Sequence, residues 1–121
     1  DHVAVLRPAL PAAELREALR AALGHLGKPY DFEFDFNVSS RLVCTELVYR
    51  CFHGRGRIAF TPVKRLGRWN LTADDLARQV LDALAVDPQA VLRPVAMWTR
   101  QGAAPAQALP VEQLGKALLP G

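Results

Sequence analysis

The sequence predicts a single α+β domain in which helices pack on a small antiparallel sheet. Its length of 121 residues fits one domain, and half of its residues are apolar, which is enough for a modest core. Stretches with helical periodicity also lie between short apolar runs that have strand character. These three observations favour mixed helices and strands over an all-helical or all-strand protein.

The first two elements are predicted from an apolar run and a helical repeat. Residues 3–6 are β-branched or apolar and end before Arg7-Pro8, so we expect a strand there. A helix is expected over 11–26, because proline suits a first helical turn and Gly27 follows the last leucine. One face of this helix repeats at helical spacing and is expected to be buried: Leu15, Ala18, Leu19, Ala22, Leu23 and Leu26.

The next segment combines aromatic residues with acids and leads into a second helix. Residues 29–41 lack helical periodicity, so we expect an ordered loop, with a short strand as the alternative because Phe32, Phe34 and Phe36 alternate with acids. A short helix is expected over 43–52. Its apolar stripe includes Cys44, Leu47, Val48 and Cys51, which predicts that Cys44 points inward.

The second half of the domain is predicted to contain two strands and one helix. Residues 57–60 are expected to form a strand after the glycines that precede them. Thr72 and Asp75 form a capping pattern, so a helix is expected over 73–85. Residues 90–98 are expected to form a strand that is broken or at an edge, since proline interrupts them.

The C-terminal residues are predicted to form a tail. Residues 101–110 are rich in alanine, proline and glycine, which is typical of a linker, and a short helix is expected over 111–119. We therefore divide the chain into a domain over 1–98 and a tail over 99–121.

Cys44 is the most informative residue of the chain. It follows a loop of aromatic and acidic residues and opens the helix expected over 43–52. The positive end of a helix favours a thiolate, and the thiolate is the nucleophilic form of cysteine. The alternative is a small buried apolar residue. Cys51 lies about 10.5 Å further along the same helix, beyond the roughly 7 Å between Cα atoms that a disulfide tolerates.

A nucleophilic cysteine needs a base, normally histidine, and a group that orients the base. His53 is expected beyond the far end of the helix that Cys44 opens, and His25 suits a helix C-terminus without catalysis. His2 precedes the first strand and reaches Cys44 only in a suitable register, so it is the candidate base. Glu46 is expected to interact with the helix dipole, with a direct catalytic role as the alternative.

The chain has a net charge of +3, and many of its basic residues cluster in one segment. Between Leu47 and Ala73 there are no acidic residues and six basic ones: Arg50, Arg55, Arg57, Lys64, Arg65 and Arg68. This pattern indicates either a solvated surface or a contact for an anionic partner, such as a phospholipid head group or a cell-wall polymer.

Several functional classes are disfavoured by the same sequence. The basic segment carries no known nucleic-acid-binding motif. The cysteines and histidines lack zinc-ligand spacing, and no phosphate-binding glycine loop is present, so we expect neither a metal nor a cofactor. No apolar run approaches the roughly 18–20 residues of a membrane span.

Two short segments resemble a known enzyme family. Leu-Gly-Lys-Pro-Tyr-Asp at 26–31 and Val-Cys-Thr-Glu-Leu-Val at 43–48 are similar to the Gly-x-Pro-Tyr-Asp and Tyr-Cys-Ser-Glu-Leu-Val motifs of the YiiX-like permuted papain-like amidases of the NlpC superfamily. Val43 replaces the aromatic residue and Thr45 the serine. Weaker similarity at the flanks extends the resemblance over roughly 3–98.

The resemblance implies a papain-like, NlpC-like fold in which Cys44 is the nucleophile and Tyr30 lines the site near the oxyanion. It also implies that the catalytic histidine and its polar partner lie on strands before the first strand of this chain. Asp1 opens almost directly into an apolar run, which is typical of a cut inside a larger protein. We therefore expect missing N-terminal strands, with room for a lost targeting segment, and the compartment stays open between cell envelope and cytoplasm.

Two functions follow from these expectations. The first is a cysteine hydrolase of the amidase or peptidase type that forms an acyl-enzyme from a peptide-like or lipid-like amide or ester. The alternative is an inactive papain-like module that binds an anionic partner through its basic segment. A third interpretation is a structural fragment that is stable only with its missing half.

Overall fold

The structure is a computed structural model that describes residues 1–87 and 92–118. It is mixed, with short helices and small antiparallel sheets, so the predicted α+β class is confirmed. The chain divides into two compact units, a first unit of Asp1–Ala9 with Ala77–Gly121 and a second unit of Leu10–Leu76. The elements in chain order are β1 His2–Pro8, α1 Ala12–Leu23, α2 Cys44–Phe52, β2 Val63–Arg65, β3 Arg68–Asn70, α3 Ala73–Val86, β4 Leu92–Thr99, β5 Gln107–Leu109, a 3₁₀ turn Val111–Gln113 and α4 Leu114–Leu118.

The first unit is built on a three-stranded antiparallel sheet in the order β1-β4-β5. β1 pairs with β4 from His2 opposite Thr99 to Pro8 opposite Leu92, and the register shifts after Val5. A shift of this kind increases local twist and lets a strand accept a residue that cannot donate a hydrogen bond. Pro94 lies opposite Leu6, directly after the shift, so β4 accommodates its proline there.

One face of this sheet carries the core of the first unit. Met97 on β4 is buried together with Leu114 and Ala117 of α4. Side chains from β1, α3 and β5 pack around these three residues: Ala4, Leu6, Leu81, Leu84 and Leu109. Because successive strand residues point to opposite faces, Val3 and Val5 lie on the other face and are exposed.

The second unit contains α1, α2, the loop between them and a hairpin formed by β2 and β3. Leu66 and Gly67 close the hairpin, and both have positive φ, as type I′ turns require. The buried apolar residues of the unit come from both helices and from the segments around them: Ala18, Phe36, Val43, Cys51, Ile58, Phe60 and Leu71.

The helix predictions from periodicity are largely confirmed. α2 and α3 match the predicted spans to within one residue. Thr72 and Asp75 form the predicted capping box, since each backbone N–H donates to the other side chain at 2.8 and 3.1 Å. α1 ends at Leu23 rather than at residue 26, because the chain turns at Gly24. The predicted strand over 90–98 is observed as β4, and residues 90 and 91 lie outside the described residues.

The predicted buried face of α1 is partly wrong. Ala18 is buried as expected, but Leu19, Leu23 and Leu26 are exposed. α1 lies against α2 within the second unit. The small Ala18 side chain allows a close approach there, and the leucines lie beside the contact instead of in it.

Two strand predictions also differ from the structure. Residues 57–60 form no strand; Ile58 closes a turn in which its carbonyl accepts from Gly54 at 2.8 Å. Ile58 and Phe60 are buried without a neighbouring strand, and Ala59 between them is exposed. The linker predicted over 101–110 contains β5, which pairs with β4. The predicted terminal helix corresponds to the 3₁₀ turn and α4, and the division of the chain at residue 98 stays a prediction.

Candidate functional site

Cys44 is the first residue of α2 and is exposed, so the prediction that it points inward is wrong. The side chains on either side of it fill the interior, since Val43, Thr45 and Glu46 are buried. On an ideal helix, the midpoint of Thr45 and Glu46 lies about 150° from Cys44, on the opposite side. Cys51 lies on the same stripe as Cys44 but is buried. The stripe is therefore exposed to solvent at the start of α2 and buried by the rest of the unit in its later turns.

The start of α2 is fixed by hydrogen bonds of its buried polar residues. The Thr45 hydroxyl donates to the carbonyl of Leu71 at 2.6 Å. The Glu46 carboxylate accepts from Arg50 Nε and Nη2 at 3.3 and 3.2 Å, and Arg50 Nη2 also donates to the Phe36 carbonyl. These contacts attach the first turn to two other segments of the unit and hold the Cys44 backbone in place.

Glu46 is an unusually buried carboxylate. Its side chain is 1% exposed, and Oε2 has no hydrogen-bond partner among the described residues. Burial raises the pKa of Glu46, while the Arg50 guanidinium and the Val43 backbone oppose that increase. The contact with Val43, which precedes the helix, agrees with the predicted interaction at the helix start. A direct catalytic role for Glu46 stays a prediction.

The loop before α2 runs beside the residues that lead into Cys44. Tyr30 and Leu42 form a parallel bridge, in which Asp31 N–H donates to Leu42 and Leu42 N–H donates to Pro29, both at 3.1 Å. Side chains alternate across such a pair, and Asp31 and Val43 point to the interior. On the other side, Tyr30 and Cys44 are exposed and Leu42 is half-buried.

Two aromatic rings lie on the exposed side of this bridge. Tyr30 and Phe32 are exposed, and their ring centroids lie 4.9 Å apart in an edge-to-face arrangement. Cys44 is exposed at the end of the neighbouring segment. Phe32 was not predicted as a site residue, although its position two residues after Tyr30 was a signal that both lie on one side.

Asp31 holds the loop from the interior. Its carboxylate is fully buried and accepts from the backbone N–H groups of Glu33 at 3.0 Å and Asp35 at 2.9 Å. Arg68 of β3 donates to the Glu33 carbonyl at 2.8 Å, and Asn70 donates to the Phe34 carbonyl at 3.2 Å. The predicted ordered loop is therefore confirmed.

The three histidines occupy different environments. His53 follows α2 at the end opposite Cys44, stacks on Tyr49 at 4.7 Å, and accepts from Phe60 N–H through Nδ1 at 3.0 Å. His25 is half-buried. Burial is the largest cause that lowers its pKa, and the charges of Lys28 and Arg50 lower it further. His2 begins β1 in the first unit, whereas Cys44 belongs to the second. Their pairing as base and nucleophile stays a prediction.

Most of the six basic side chains contact this protein's own groups. Arg65 makes a bidentate ion pair with Asp75, with both distances at 2.7 Å, which lowers the pKa of Asp75 to about 2. Arg55 donates to the Cys51 carbonyl at 2.6 Å. Arg57 has a partner as well, and the Lys64 ammonium lies 5.8 Å from the centroid of the Trp69 ring. The anionic partner stays a prediction.

The described residues form neither a metal cluster nor a helix that could span a membrane. Within 1–87 and 92–118, no group of three histidine, cysteine or acidic side chains is placed to hold a metal ion. Over the same ranges, no helix has the length and apolar character needed to cross a membrane.

A cysteine at the start of a helix, in a mixed fold with small antiparallel sheets, is consistent with the papain-like class of proteins. The model of one family within that class, the permuted papain-like amidase enzymes of the YaeF/YiiX, C92 family, matches residues 1–100. The chain belongs to this family, and the resemblance predicted from residues 26–31 and 43–48 is confirmed. Neither the curated proteins nor the solved structures contain a match to the chain.

Proposed function

We propose that the protein is a cysteine hydrolase of the amidase type in which Cys44 is the nucleophile. The observation that supports this proposal is the exposed thiol at the first residue of α2. Cysteine hydrolases need an accessible sulfur in an electropositive position, and a helix N-terminus supplies both free N–H groups and a positive dipole end. Membership of the papain-like amidase family supports the same reaction class.

The reaction begins when the Cys44 thiolate attacks the carbonyl carbon of an amide or ester. A carbon–sulfur bond forms, and the carbonyl π electrons move to oxygen. The tetrahedral intermediate then collapses, the bond to the amine or alcohol breaks, and the leaving group takes a proton from the protonated base. Water attacks the resulting thioester and gives its proton to the base, which releases the acid and regenerates the thiolate.

Two groups are suited to the negative charge that develops on the oxygen. The N–H groups in the first turn of α2 have no carbonyl partner within the helix. The Tyr30 hydroxyl belongs to the exposed side of the bridge that leads into Cys44. We assign Tyr30 to the wall of the site, where its hydroxyl donates to the oxyanion.

The base proposed within this chain is His2. The two other histidines are less suited, since His53 lies at the opposite end of α2 and its Nδ1 is already an acceptor. Replacement of His2 by Asn is expected to lower kcat at least about a hundredfold if His2 is the base. Unchanged kcat in that variant would mean that another group accepts the proton.

The substrate class that we propose is an acyl compound with an apolar side chain, such as a cell-wall peptide or a lipid-linked amide. Tyr30 and Phe32 support this class because both rings are exposed, Phe32 to 88%. An apolar substituent that packs against these rings removes them from water and contributes binding energy.

The proposal is tested by alkylation and by hydrolysis. If Cys44 is an activated nucleophile, iodoacetamide should modify it at pH 7 faster than it modifies N-acetylcysteine. The free thiol is the control for simple accessibility. Labelling no faster than this reference, or no faster than at buried Cys51, would contradict an activated nucleophile.

The hydrolysis assay uses the Cys44→Ala and Cys44→Ser variants with Cys51→Ala as the matched control. Both Cys44 variants should lose at least about a thousandfold in kcat/KM on an acyl-amide substrate. Cys51→Ala should retain kcat/KM, because its thiol is buried within α2. Equal activity in all variants would exclude cysteine catalysis.

The second candidate is a papain-like module that binds an anionic partner without catalysis. It is supported by the run of six basic residues between Leu47 and Ala73 without an acidic one. In that case Cys44→Ala leaves binding unchanged, and the affinity falls as the salt concentration rises. Binding that is insensitive to salt would count against this candidate.

A further inference from the structure

The second unit contains a cleft that the proposed catalytic residues do not use. It has a volume of about 380 Å³ and is open to solvent. Phe36 and Asn37 of the loop, Tyr49 and Arg50 of α2, and Trp69 of β3 contribute to its lining. Tyr49 and Arg50 follow Cys44 by five and six residues, which places them about 140° and 240° around the helix. The cleft therefore belongs to other faces of α2 than the thiol.

Aromatic rings form much of the cleft wall. The centroids of Phe36 and Tyr49 lie 5.7 Å apart, with their planes tilted by 40°. The Phe36 N–H donates to the Trp69 carbonyl at 2.9 Å, which fixes the loop against β3. Trp69 is nevertheless 44% exposed. A large indole that borders a cleft and stays half open to water provides a flat surface on which an apolar group can stack.

Cations lie against two of these rings. The Arg50 guanidinium carbon is 5.5 Å from the centroid of Tyr49, and the Lys64 ammonium is 5.8 Å from the centroid of Trp69. Buried Glu46 accepts from Nε and Nη2 of Arg50, so it orients the guanidinium and offsets part of its charge. These contacts use Nε and Nη2, and we assign the third nitrogen, Nη1, to a ligand.

We propose that this cleft is a binding site for an organic anion in which a carboxylate lies next to a flat apolar group. Nη1 of Arg50 can donate a charge-assisted hydrogen bond to a carboxylate, and the aromatic wall suits a ring. No acidic residue lines the cleft, so nothing in its lining repels a carboxylate. A free aromatic acid and a peptide that ends in an aromatic residue share this chemistry.

The binding test uses Trp69 as the reporter. The chain has two tryptophans, so a Trp98→Phe variant leaves Trp69 as the single one. Titration with N-acetylphenylalanine should produce a saturable change in its fluorescence. N-acetylphenylalanine amide, which lacks the charge, should bind at least about tenfold more weakly. No saturable change, or equal affinity for acid and amide, would overturn the proposal.

A second titration distinguishes the two sources of the ligand. The tripeptide Gly-Gly-Phe is compared with its C-terminal amide under the same conditions. If the tripeptide acid binds more tightly than N-acetylphenylalanine, the site takes the end of a peptide chain. If it binds more weakly than N-acetylphenylalanine but more tightly than its own amide, the site takes a small aromatic acid. A tripeptide acid that binds no better than its amide would overturn the proposal.

Variants with matched controls locate the binding. Arg50→Met should weaken N-acetylphenylalanine binding at least about tenfold, whereas Arg20→Met, which also removes an arginine paired with a glutamate one turn away, should not. Trp69→Leu is the second test in case Arg50→Met unfolds the unit. Calorimetry should show at least a tenfold loss for Trp69→Leu and none for Trp98→Leu, whose indole is similarly exposed in the first unit. Unchanged affinity in Trp69→Leu would overturn the proposal.

Alkylation of Cys44 separates this proposal from the catalytic one. The modified protein should lose hydrolytic activity and keep its affinity for N-acetylphenylalanine. Loss of both after alkylation would place the ligand in the catalytic site, which would overturn an independent cleft.

Discussion

Cys44 and Cys51 belong to the same helix, yet their thiols have different surroundings. Cys44 is exposed at the first position of α2, whereas Cys51 is buried. Burial raises the pKa of the Cys51 thiol, although the charge of Arg55 opposes that increase. Cys51 is therefore protonated at neutral pH and serves as an apolar core residue, which makes it a suitable internal reference for the reactivity of Cys44.

The sequence was sufficient to identify Cys44 from its place at a helix start and from the family resemblance, and Tyr30 from the resemblance alone. It was not sufficient to predict the exposure of Cys44. Helical periodicity assigns residues to a stripe but does not say how far along the helix that stripe is covered. Phe32 was missed because alternation in a loop without a regular strand is a weak signal.

A residue-scale prediction concerns Leu66, which has a φ of 50° and is fully exposed. A side chain in the left-handed region is strained unless it is glycine, asparagine or aspartate. Leu66→Asn should therefore raise the free energy of unfolding by about 0.5–1 kcal/mol, measured by urea denaturation. Leu66→Ala is the control, since it removes the apolar side chain but keeps the strain. Equal effects of the two variants would assign the gain to lost apolar exposure.

At the scale of elements, helix ends are held by specific side chains more than by propensity. The first turn of α3 combines a capping box with an ion pair, because Asp75 accepts from Thr72 N–H and from Arg65. The capping pattern was visible in the sequence, since it depends on a spacing of three residues. The partner Arg65 was not, because it reaches Asp75 from the β2–β3 hairpin.

An element-scale prediction follows for Asp75. Its pKa is lowered to about 2, and the hydrogen bonds from Arg65 are the largest cause. The charged form of Asp75 therefore stabilises the folded state. This stability is complete above the ordinary aspartate value of 3.8 and is lost as the pH falls through about 2. Asp75→Asn should cost about 1 kcal/mol at pH 7, and its difference from the wild type should shrink toward pH 2. The unfolding free energies of the wild type and of the Asp75→Asn variant are measured by denaturation at several pH values.

The control for Asp75 is Asp74→Asn in the same turn. Asp74 is exposed and shares the helix dipole but has no part in the capping box. Its replacement should change the unfolding free energy by less than that of Asp75. An equal loss in both variants would mean that the dipole alone, rather than the cap and ion pair, stabilises the start of α3.

The β2–β3 hairpin and the residues over 57–60 show why the strands were harder to predict than the helices. β2 and β3 have three residues each, too few for an alternation to be visible. Ile58 and Phe60 do alternate and are buried, but they belong to no strand. Alternation records which side chains are buried, while strand pairing depends on contacts distant in sequence.

At the scale of the molecule, the C-terminal residues contribute to a core. Leu114 is buried against Met97 of β4, and β5 extends the sheet that β4 and β1 form. The alanine- and proline-rich composition predicted a linker, because short strands of small residues have no distinctive pattern. The contacts of Leu114 suggest that the first unit depends on these residues for stability.

The corresponding prediction is that Leu114→Ala lowers the unfolding free energy by about 2–4 kcal/mol, the usual cost of truncating a buried leucine. Thermal or urea denaturation measures it. Leu26→Ala, at an exposed leucine of the second unit, is the control and should change stability by less than about 0.5 kcal/mol. A negligible effect at Leu114 would favour an independent tail over 99–121.

The pairing of β1 with β4 has a consequence for the order of folding. Their register joins His2 to Thr99 and Pro8 to Leu92, so the ladder closes loops of more than eighty residues. Contacts between such distant residues carry a large entropic cost and form slowly, whereas the hairpin around Trp69 closes over two residues. In stopped-flow refolding, a variant with Trp69 alone should report an earlier phase than one with Trp98 alone. Simultaneous phases would instead indicate that both units fold in one cooperative step.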